Sequence, residues 1–498
     1  MKKRQIDHTV MSSKSTLCAN ALRLLLVFAV LVSGCVGHSG PDLRRLYKSG
    51  MELARVPPVV IVPGILGSKL RDRVTGKELW PGSIYNTLLS AHSLTMTIDP
   101  DSLEPIPDRV EAFDLLRSVL GEDIQGAILE TLEHSGGYTR GVLGETADPT
   151  VRRYYIFPYD WRQDNVVTAR KLDQLIEQIR HDYRDPQLKV DVVAHSMGGL
   201  MLRYYLQYGT TDVLDGNEFP ANFAGAAKVR TAVLLGTPNL GSVSALQSFL
   251  LGHRVGFQRI PTESLATMPS LYQLLPHPIN NWIIDIDGKP LESDLFFAGT
   301  WIAHQWSVFN PKTIARIQSH QADAASGSAY MATLQNYFNK HLERARRFVW
   351  SLSFNQTQQA PVKLVVFGGD CKLTPARVVI EGEYGSSDAK VRLFPNDIQH
   401  RVPGLDYSRL MLEPGDGEVT KASLLARQSL DPTVSRSDDV FFPLAYSFLL
   451  CEDHEHLMRN INIQDNLLNV LLSQEHPWDG PPPSDGAPPD APASNAPP

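Results

Sequence analysis

The chain has 498 residues, of which 43% are hydrophobic and 20% are charged. This much apolar sequence can bury a large core, so the composition excludes a generally disordered protein and favours one large globular domain or two smaller ones. The formal net charge of -7 gives no attraction to a phosphate backbone, and no basic stripe is interleaved with aromatic residues, so we expect no nucleic-acid partner.

The N-terminal segment has the pattern of an export signal. Five basic residues precede an apolar run at positions 24–32, namely Lys2, Lys3, Arg4, Lys14 and Arg23. The run is about half as long as the roughly 20 apolar residues that cross a bilayer, which favours a signal peptide over a membrane helix.

The sequence Val-Ser-Gly-Cys at 32–35 follows this run and resembles the bacterial lipobox, in which the cysteine accepts a lipid before cleavage. We predict a lipoprotein signal peptide over residues 1–34, a lipid anchor on Cys35 and a lipid-anchored segment over residues 35–55. The alternative is an ordinary signal peptide with a chance cysteine. An aspartate directly after the lipidated cysteine retains lipoproteins in the inner membrane, and this sequence has Val36 at that position. The expected location is therefore the cell envelope, in the outer membrane where the cell has one.

Residues 56–475 alternate short apolar runs with amphipathic helices and form the predicted catalytic domain. The predicted strands are Val59–Val62, Arg152–Phe157, Val190–Ala194, Thr231–Leu235, Lys363–Phe367 and Leu444–Leu450. Helices are predicted from Thr168, a possible cap, from Met197, and after the last strand. Strands joined by helices through short links favour right-handed crossovers, so the fold class is α/β with a mostly parallel sheet.

Two stretches depart from this alternation. Regularity lapses between about Leu240 and Pro361, which predicts a cap or lid inserted at about 240–360. The last 23 residues, 476–498, include nine prolines and almost nothing apolar, which predicts a disordered tail.

Two cysteines, Cys371 and Cys451, lie in the predicted catalytic domain. In an oxidising compartment they can pair. They can equally be two buried free thiols, because separation along the sequence does not determine the distance that a disulfide requires.

The sequence Ala-His-Ser-Met-Gly-Gly at 194–199 joins a predicted buried strand to a predicted helix. It is typical of the nucleophile elbow of the α/β-hydrolase fold, in which small residues flank a serine on a strained turn because strand and helix approach closely. The alternative is a serine that only caps the helix. We predict Ser196 as the nucleophile.

A serine hydroxyl needs a histidine base, and the histidine needs a carboxylate, in the chain order serine, acid, histidine. Asp370 and Asp416 compete as the acid, and position alone favours Asp370 because it follows a predicted strand directly. His454 and His456 compete as the base. His456 should lie in a first helical turn, whereas His454 lies in the preceding loop with more freedom to reach the serine.

An oxyanion requires two preorganised backbone donors. The Met197 N–H directly follows the nucleophile, and the Ile65 N–H lies in a glycine-rich loop after the first strand, where Gly64 permits a tight turn. The alternative for this loop is a glycine-rich turn without a catalytic role.

These motifs together resemble the lecithin:cholesterol acyltransferase family, which includes lysosomal phospholipase A2 and phospholipid:diacylglycerol acyltransferase. Four segments in order carry the resemblance: Pro-Pro-Val-Val-Ile-Val-Pro-Gly-Ile-Leu-Gly-Ser at 57–68, Pro-Tyr-Asp-Trp-Arg at 158–162, the elbow at Ser196, and Leu-Gly-Thr-Pro-Asn-Leu-Gly-Ser at 235–242. The Pro-Tyr-Asp-Trp-Arg segment is the most specific, since generic lipases do not share it.

Beyond Ser242 the resemblance consists of Gly-Asp-Gly-Glu-Val at 415–419, similar to the family's acid loop, and of residues 454–460, similar to its histidine segment. It implies Asp416 rather than Asp370 as the acid and supports His454 as the base. The sequence departs from the family at three places: Ala194, Glu418 and the absence of a clear cysteine-closed lid near Trp80.

The resemblance implies that Ser196 attacks an ester of a glycerophospholipid or acylglycerol, and that a lipid alcohol or water then takes the acyl group. No metal or cofactor is expected. The nearest alternative is a pure carboxylesterase or phospholipase A. A second is a catalytically idle lipid-binding protein of the envelope, against which the presence of nucleophile, acid and base in order argues.

Overall fold

A computed structural model describes residues 41–48, 56–82, 94–119, 122–255, 258–353, 362–386, 389–430, 433 and 442–473. The predicted signal peptide, Cys35 and the tail at 476–498 lie outside these residues. Of the described residues, 41–46 belong to one unit, in which helix α1 spans Leu43–Leu46, and those from Tyr47 onward belong to a second. In the described ranges no helix is both long and apolar enough to cross a membrane.

The second unit alternates strands and helices along most of its length. Its strands are β1 (Val59–Val62), β2 (Ser68–Asp72), β3 (Glu78–Trp80), β4 (Val110–Leu115), β5 (Ser118–Val119), β6 (Glu122–Asp123), β7 (Thr139–Arg140), β8 (Arg153–Ile156), β9 (Val190–His195), β10 (Val229–Leu235), β11 (His253–Val255), β12 (Gln258–Ile260), β13 (Ile283–Asp285), β14 (Lys363–Gly369), β15 (Lys372–Pro375), β16 (Val378–Glu381), β17 (Lys390–Arg392), β18 (Leu412–Gly415) and β19 (Tyr446–Leu450).

Its α-helices are α2 (Gly126–His134), α3 (Asn165–Asp182), α4 (Met197–Tyr208), α5 (Val243–Leu251), α6 (Thr262–Leu265), α7 (Pro269–Tyr272), α8 (Ala298–Ala303), α9 (Pro311–Ser319), α10 (Ala324–Ser353), α11 (Tyr407–Met411), α12 (Lys421–Leu424) and α13 (Ile461–Leu472). Short 3₁₀ helices span Ala226–Lys228, Ser307–Phe309, Pro395–Asp397 and His454–Arg459.

Seven strands form the central sheet, in the order β19-β14-β10-β9-β1-β8-β7. Every neighbouring pair is parallel, which confirms the predicted α/β class. The four residues of β1 are completely buried, as expected for a strand covered by helices on both faces. Because the strands are parallel, the carboxyl ends of β1, β9, β10, β14 and β19 meet at one edge of the sheet. Ligand sites of open α/β sheets form at this edge.

Helix α3 begins earlier than the sequence predicts. Asp164, not Thr168, is the capping residue, and its carboxylate accepts a hydrogen bond of 2.7 Å from the Val166 N–H. Aspartate and threonine are both residue types that cap helices. Thr168 lies one turn inside the helix, where its hydroxyl bonds the Asp164 carbonyl at 3.2 Å.

The expected lapse of regular structure between Leu240 and Pro361 is wrong for the second half of that segment. Helix α10 is 30 residues long, and its buried residues recur every three or four positions, which is the helical period. Arg344 on this helix joins it to the core, with its guanidinium 2.8 Å from the carboxylates of both Asp164 and Asp212. Helix α10 is therefore fastened beside the start of α3.

A buried ion pair lies at the amino end of β9. Asp191 is completely buried, and its carboxylate accepts a bidentate bond from Arg230 on β10, with Nε 2.8 Å from Oδ1. The same guanidinium donates to the Leu471 carbonyl at 3.0 Å. The pair links two central strands to the last helix, at the sheet edge opposite the carboxyl ends.

Candidate active site

Ser196 occupies a strained turn between β9 and α4. Its φ of 51° and ψ of -125° lie in a region that non-glycine residues rarely adopt. Its side chain makes no capping hydrogen bond to the helix, which argues against the interpretation as a simple cap.

The glycines after Ser196 are required by close packing. A Cβ atom on Gly198 would collide with the Pro63 carbonyl, and one on Gly199 would overlap the side chain of Thr237. The elbow is thus wedged between the loop after β1 and the loop after β10. Ala194 stands where a glycine is usual and is completely buried.

His454 lies between the serine and one carboxylate. Its Nε2 is 3.0 Å from Ser196 Oγ, and its Nδ1 is 2.8 Å from Asp416 Oδ2. A carboxylate accepts the Nδ1 proton, so Nε2 presents its lone pair to the serine hydroxyl. The structure therefore brings Ser196, His454 and Asp416 together in one hydrogen-bonded line.

The predicted difference in secondary structure between the two histidines is wrong, although His454, which the sequence favours as the base, is the one that contacts the serine. His454 and His456 both lie in the 3₁₀ helix at 454–459, and α13 begins only at Ile461. The two histidines differ in where their side chains lie, since only His454 contacts Ser196. The side chain of His456 is 40% exposed, and its Nδ1 lies 3.6 Å from Asp453.

Asp370 and Asp416 lie close to the same strand end. Asp370 follows β14 directly and pairs with Lys421 at 3.0 Å. The chain then leaves along β15 and returns along β18, which is antiparallel to it, and so delivers Asp416 back to β14. A Cβ atom on Gly369 would lie 2.7 Å from Asp416 Cβ. Asp416 therefore lies at the end of β14, where the topology of this fold predicts the acid, although a ribbon separates it from that strand in sequence.

The Asp416 carboxylate is fixed by its own loop. Its Oδ1 accepts the N–H groups of Glu418 at 3.0 Å and Val419 at 2.7 Å, which leaves Oδ2 for His454. The Asp416 carbonyl also accepts the backbone N–H of His454 at 2.9 Å. The acid thus holds the histidine by both its ring and its backbone.

Charges around His454 favour its protonated form. Burial acts to lower the pKa of His454, but the carboxylates of Asp416, Glu418 and Glu455 outweigh it, so the pKa lies above the ordinary 6.5. Burial raises the pKa of Glu418. A base with a raised pKa accepts a proton more readily.

The loop after β1 packs directly on the elbow. A Cβ atom on Gly64 would lie only 2.8 Å from Ser196 Cβ, so glycine allows this close approach. Met197 is the first residue of α4, where N–H groups have no partner within the helix. Across the described ranges, neither the Ile65 nor the Met197 N–H donates a hydrogen bond, so both can serve an oxyanion.

The Pro-Tyr-Asp-Trp-Arg segment supports that loop. The Tyr159 hydroxyl donates to the Pro63 carbonyl at 2.9 Å, and the Trp161 indole donates to the Ser68 carbonyl at 3.2 Å. Arg162 is completely buried and pairs with Asp160 and Asp108 at 2.8 and 2.9 Å. These contacts explain why a motif distant in sequence from the nucleophile belongs to the site.

Cys371 and Cys451 form a disulfide, with Cα atoms 5.0 Å apart. The two residues follow the adjacent strands β14 and β19, and Cys451 precedes His454 by three positions. The bond therefore fastens the segment that carries His454 to the strand end where Asp416 lies.

Among the described residues, Glu452, Asp453 and His456 form the one group whose side chains could hold a metal ion, with ligand atoms within 4.8 Å of one another. Asp453 is already paired with Lys372 at 3.2 Å, and Glu452 accepts from Asn460 at 2.9 Å. None of the three contacts Ser196. The expectation that no metal or cofactor takes part stays a prediction.

Known proteins resemble this chain in sequence and in fold. Residues 143–313 match the family model of lecithin:cholesterol acyltransferase. An uncharacterised protein of Saccharomyces cerevisiae, YJR098C, is 29% identical over 175 residues, which is 34% of this chain and 23% of the yeast protein. The chain thus spans about a quarter of that relative's length.

Among solved structures, the Tle4–Tli4 complex contains a chain with a TM-score of 0.53 and 14% identity, covering 84% of this chain and 98% of that one. The lipase BlEst2 of Bacillus licheniformis overlaps with a TM-score of 0.30 and 13% identity, over 84% and 92% of the two chains.

The resemblance to the lecithin:cholesterol acyltransferase family is confirmed over residues 143–313, and the α/β-hydrolase fold is confirmed for the chain. The family match includes Ser196 but ends before Asp416 and His454. It supports a lipid ester hydrolase or acyltransferase.

Proposed function

We propose that this chain is a serine-dependent acyltransferase or lipase that acts on acyl esters of glycerophospholipids or acylglycerols through an acyl-enzyme. The observation that carries the proposal is the hydrogen-bonded line from Ser196 through His454 to Asp416 at the carboxyl edge of the sheet. It is the arrangement that acyl transfer by a serine requires.

In the first half-reaction, Ser196 Oγ attacks the ester carbonyl while His454 Nε2 takes the hydroxyl proton. Asp416 holds the ring and stabilises the imidazolium. The Ile65 and Met197 N–H groups bind the oxyanion. The intermediate collapses with cleavage of the ester C–O bond, the leaving alcohol receives the proton from His454, and the acyl group stays on Ser196.

In the second half-reaction, an alcohol or water gives its proton to His454 and attacks the acyl carbonyl. The bond to Ser196 Oγ breaks, and the serine recovers the proton. A lipid alcohol as acceptor yields a new ester, and water yields a fatty acid. Which acceptor prevails depends on how well the bound acyl-enzyme excludes water.

The two alternative functions differ in their support. A pure carboxylesterase or phospholipase A uses the same residues, so it differs from the proposal only in the acceptor. A catalytically idle lipid-binding protein would not require Nε2 of a histidine within 3.0 Å of a serine in a strained turn.

The proposal includes anchoring to a membrane of the cell envelope through a lipid on Cys35, with the catalytic domain on the periplasmic or surface side. Its support is the sequence Val-Ser-Gly-Cys at 32–35 after an apolar run. Mass spectrometry of the mature protein should find a lipidated N-terminal Cys35, and Cys35→Ala should release or mislocalise the protein. Cleavage at another position would contradict the anchor.

The decisive experiment follows an acyl-labelled phospholipid with and without a long-chain alcohol. An acyltransferase should move the label into the alcohol's ester, whereas a pure hydrolase should release labelled fatty acid in both cases. Ser196→Ala is the matched control and should leave the label in the phospholipid. If wild type also leaves it there, the repetition with a labelled diacylglycerol tests the other substrate class. Failure with both contradicts the proposal.

A further inference from the structure

We propose that His195, the residue before the nucleophile, is a positioning residue that holds the backbone of His454 in place. The His195 Nε2 lies 3.3 Å from the His454 carbonyl oxygen. The two rings are neighbours, with centroids 4.9 Å apart and planes tilted by 40°. This inference deepens the proposed function and rests on it.

The hydrogen bond determines the tautomer of His195. A carbonyl oxygen can only accept, so the proton must be on Nε2. Burial, reinforced by the charge of His454, lowers the pKa of His195 to about 3. His195 is therefore neutral at the pH at which a serine hydrolase works, and an imidazolium can form on His454 without a second positive charge beside it.

The contact completes a set of constraints on His454. Its N–H donates to the Asp416 carbonyl at 2.9 Å, its carbonyl accepts from His195, and its ring bonds Asp416 and Ser196. His195 and Ser196 are covalent neighbours. The last residue of β9, which precedes the nucleophile, therefore hydrogen-bonds the backbone of His454. A shift of the elbow should move His454 as well.

Two packing contacts limit how far this arrangement can relax. A Cβ atom on Gly236 would lie 3.0 Å from the His454 ring, and one on Gly64 would lie 3.2 Å from His195 Nδ1. The two imidazoles therefore fill a gap between the loops after β1 and β10. A substitution that keeps the ring but removes the donor tests the hydrogen bond separately from this packing.

The experiment compares His195→Phe, which keeps a ring without a donor, with His195→Gln, whose amide nitrogen can replace Nε2. We expect His195→Phe to lower kcat on a soluble ester about 30-fold with little change in KM, because small displacements of catalytic groups have costs of up to about 100-fold. His195→Gln should recover most of the activity. His456→Phe is the matched control on the same 3₁₀ helix and should behave as wild type.

The pH profile of kcat/KM gives a second measurement. Loss of packing alone would not shift its acid limb. The groups that raise the pKa of His454 are Asp416, Glu418 and Glu455, and the neighbouring His195 is neutral. When His454 is loosened from Asp416, its pKa should fall, so the acid limb of kcat/KM should move to lower pH in His195→Phe and not in His195→Gln.

Equal losses in His195→Phe and His195→Gln with an unmoved acid limb would overturn the inference, as would an undiminished His195→Phe. In both cases, ester turnover by the wild-type protein would still support the proposed function. Wild type that neither turns over esters nor reacts with a fluorophosphonate would overturn the proposed function and this inference with it.

Discussion

The site is assembled from two regions that reach the same sheet edge by different routes. In residues 56–242, the proposed oxyanion loop and the proposed nucleophile follow the adjacent strands β1 and β9 directly. In residues 362–473, the proposed acid lies at the end of a ribbon that leaves β14 and returns, and the proposed base lies on a 3₁₀ helix after β19. Local signatures therefore identify the first region, whereas the second depends on tertiary arrangement.

The two regions also differ in what holds their side chains in addition to close packing. In the first region backbone approaches so closely that added Cβ atoms on Gly64 or Gly198 would collide with neighbours. In the second, a Cβ atom on Gly369 would also collide with Asp416, but hydrogen bonds and the disulfide between Cys371 and Cys451 join the segments that carry Asp416 and His454. Steric substitutions should damage the first region most, and loss of hydrogen bonds should damage the second.

Loss of the nucleophile should have the largest effect. Ser196→Ala removes one oxygen without adding bulk, so the chain should fold normally and kcat should fall by about 10⁶, as in a serine protease that loses its serine. Labelling by a fluorophosphonate should disappear while circular dichroism is unchanged. Labelling that persists in the variant would locate the nucleophile elsewhere.

The choice of acid tests the second region. Asp416→Asn should lower kcat by about 10⁴, because an amide stabilises the wrong histidine tautomer. Asp370→Asn is the matched control, and its loss of the Lys421 pair should change kcat less than about tenfold. Both are measured on one soluble ester with circular dichroism. The reverse ranking would mean that the ribbon from 372 to 415 is misplaced and that Asp370 is the acid.

A methyl group in the oxyanion loop tests the steric character of the first region. Gly64→Ala puts a Cβ atom 2.8 Å from Ser196 Cβ, so the loop must move and the Ile65 N–H with it. We expect kcat to fall by about 10² to 10³, the cost of losing one oxyanion donor. Gly76→Ala is a control, since no atom lies within 4 Å of its Cβ position, although its positive φ disfavours alanine. Equal activity of both variants would contradict the assigned contact.

The pH dependence of wild type should report the carboxylates around the base. The pKa of His454 is raised above 6.5, and a protonated ring cannot accept the serine proton. As pH falls through this raised pKa, kcat/KM should decline about tenfold per pH unit. Glu418→Gln removes one of the charges that raise the pKa, so the acid limb should move to lower pH. A limb that moves upward would contradict the placement of Glu418.

Removal of the disulfide should have the smallest effect on chemistry and a clear effect on stability. Replacing both Cys371 and Cys451 by alanine should lower the free energy of unfolding by about 3 kcal/mol, a usual disulfide contribution. We expect kcat to change less than about tenfold, because Asp416 still holds His454. Urea unfolding measures the first quantity. An unchanged midpoint would mean that the bond adds nothing to stability.

The same contrast explains what could be predicted from sequence. Core strands and the elbow follow from apolar runs and from small residues beside a serine, so Val59–Val62 was predicted to the residue and Ser196 was placed between strand and helix. Asp416 could not be placed from topology, because the ribbon β15–β18 brings a distant segment to the position that Asp370 holds in sequence. Only the family resemblance pointed to it.

Other features depended on distances that a sequence does not contain. Pairing of Cys371 with Cys451 follows from the neighbouring ends of β14 and β19. The contact between His195 and His454 joins residues that are 259 positions apart, and the single signal was the position of His195 beside the nucleophile. The start of α3 was misplaced because Asp164 and Thr168 are both residue types that cap helices.

Near its amino end, the entrance, strand β9 carries Asp191, which pairs with Arg230 of β10. Ser196 directly follows its carboxyl end, the exit. Ser196 lies five positions after Asp191 along extended chain, a distance of about 17 Å. Heat resistance and chemistry can therefore be engineered independently on one strand. Libraries built around the entrance, with an apolar replacement for both partners of the ion pair, alter the melting temperature of the enzyme, while the exit keeps the close contacts on which turnover depends.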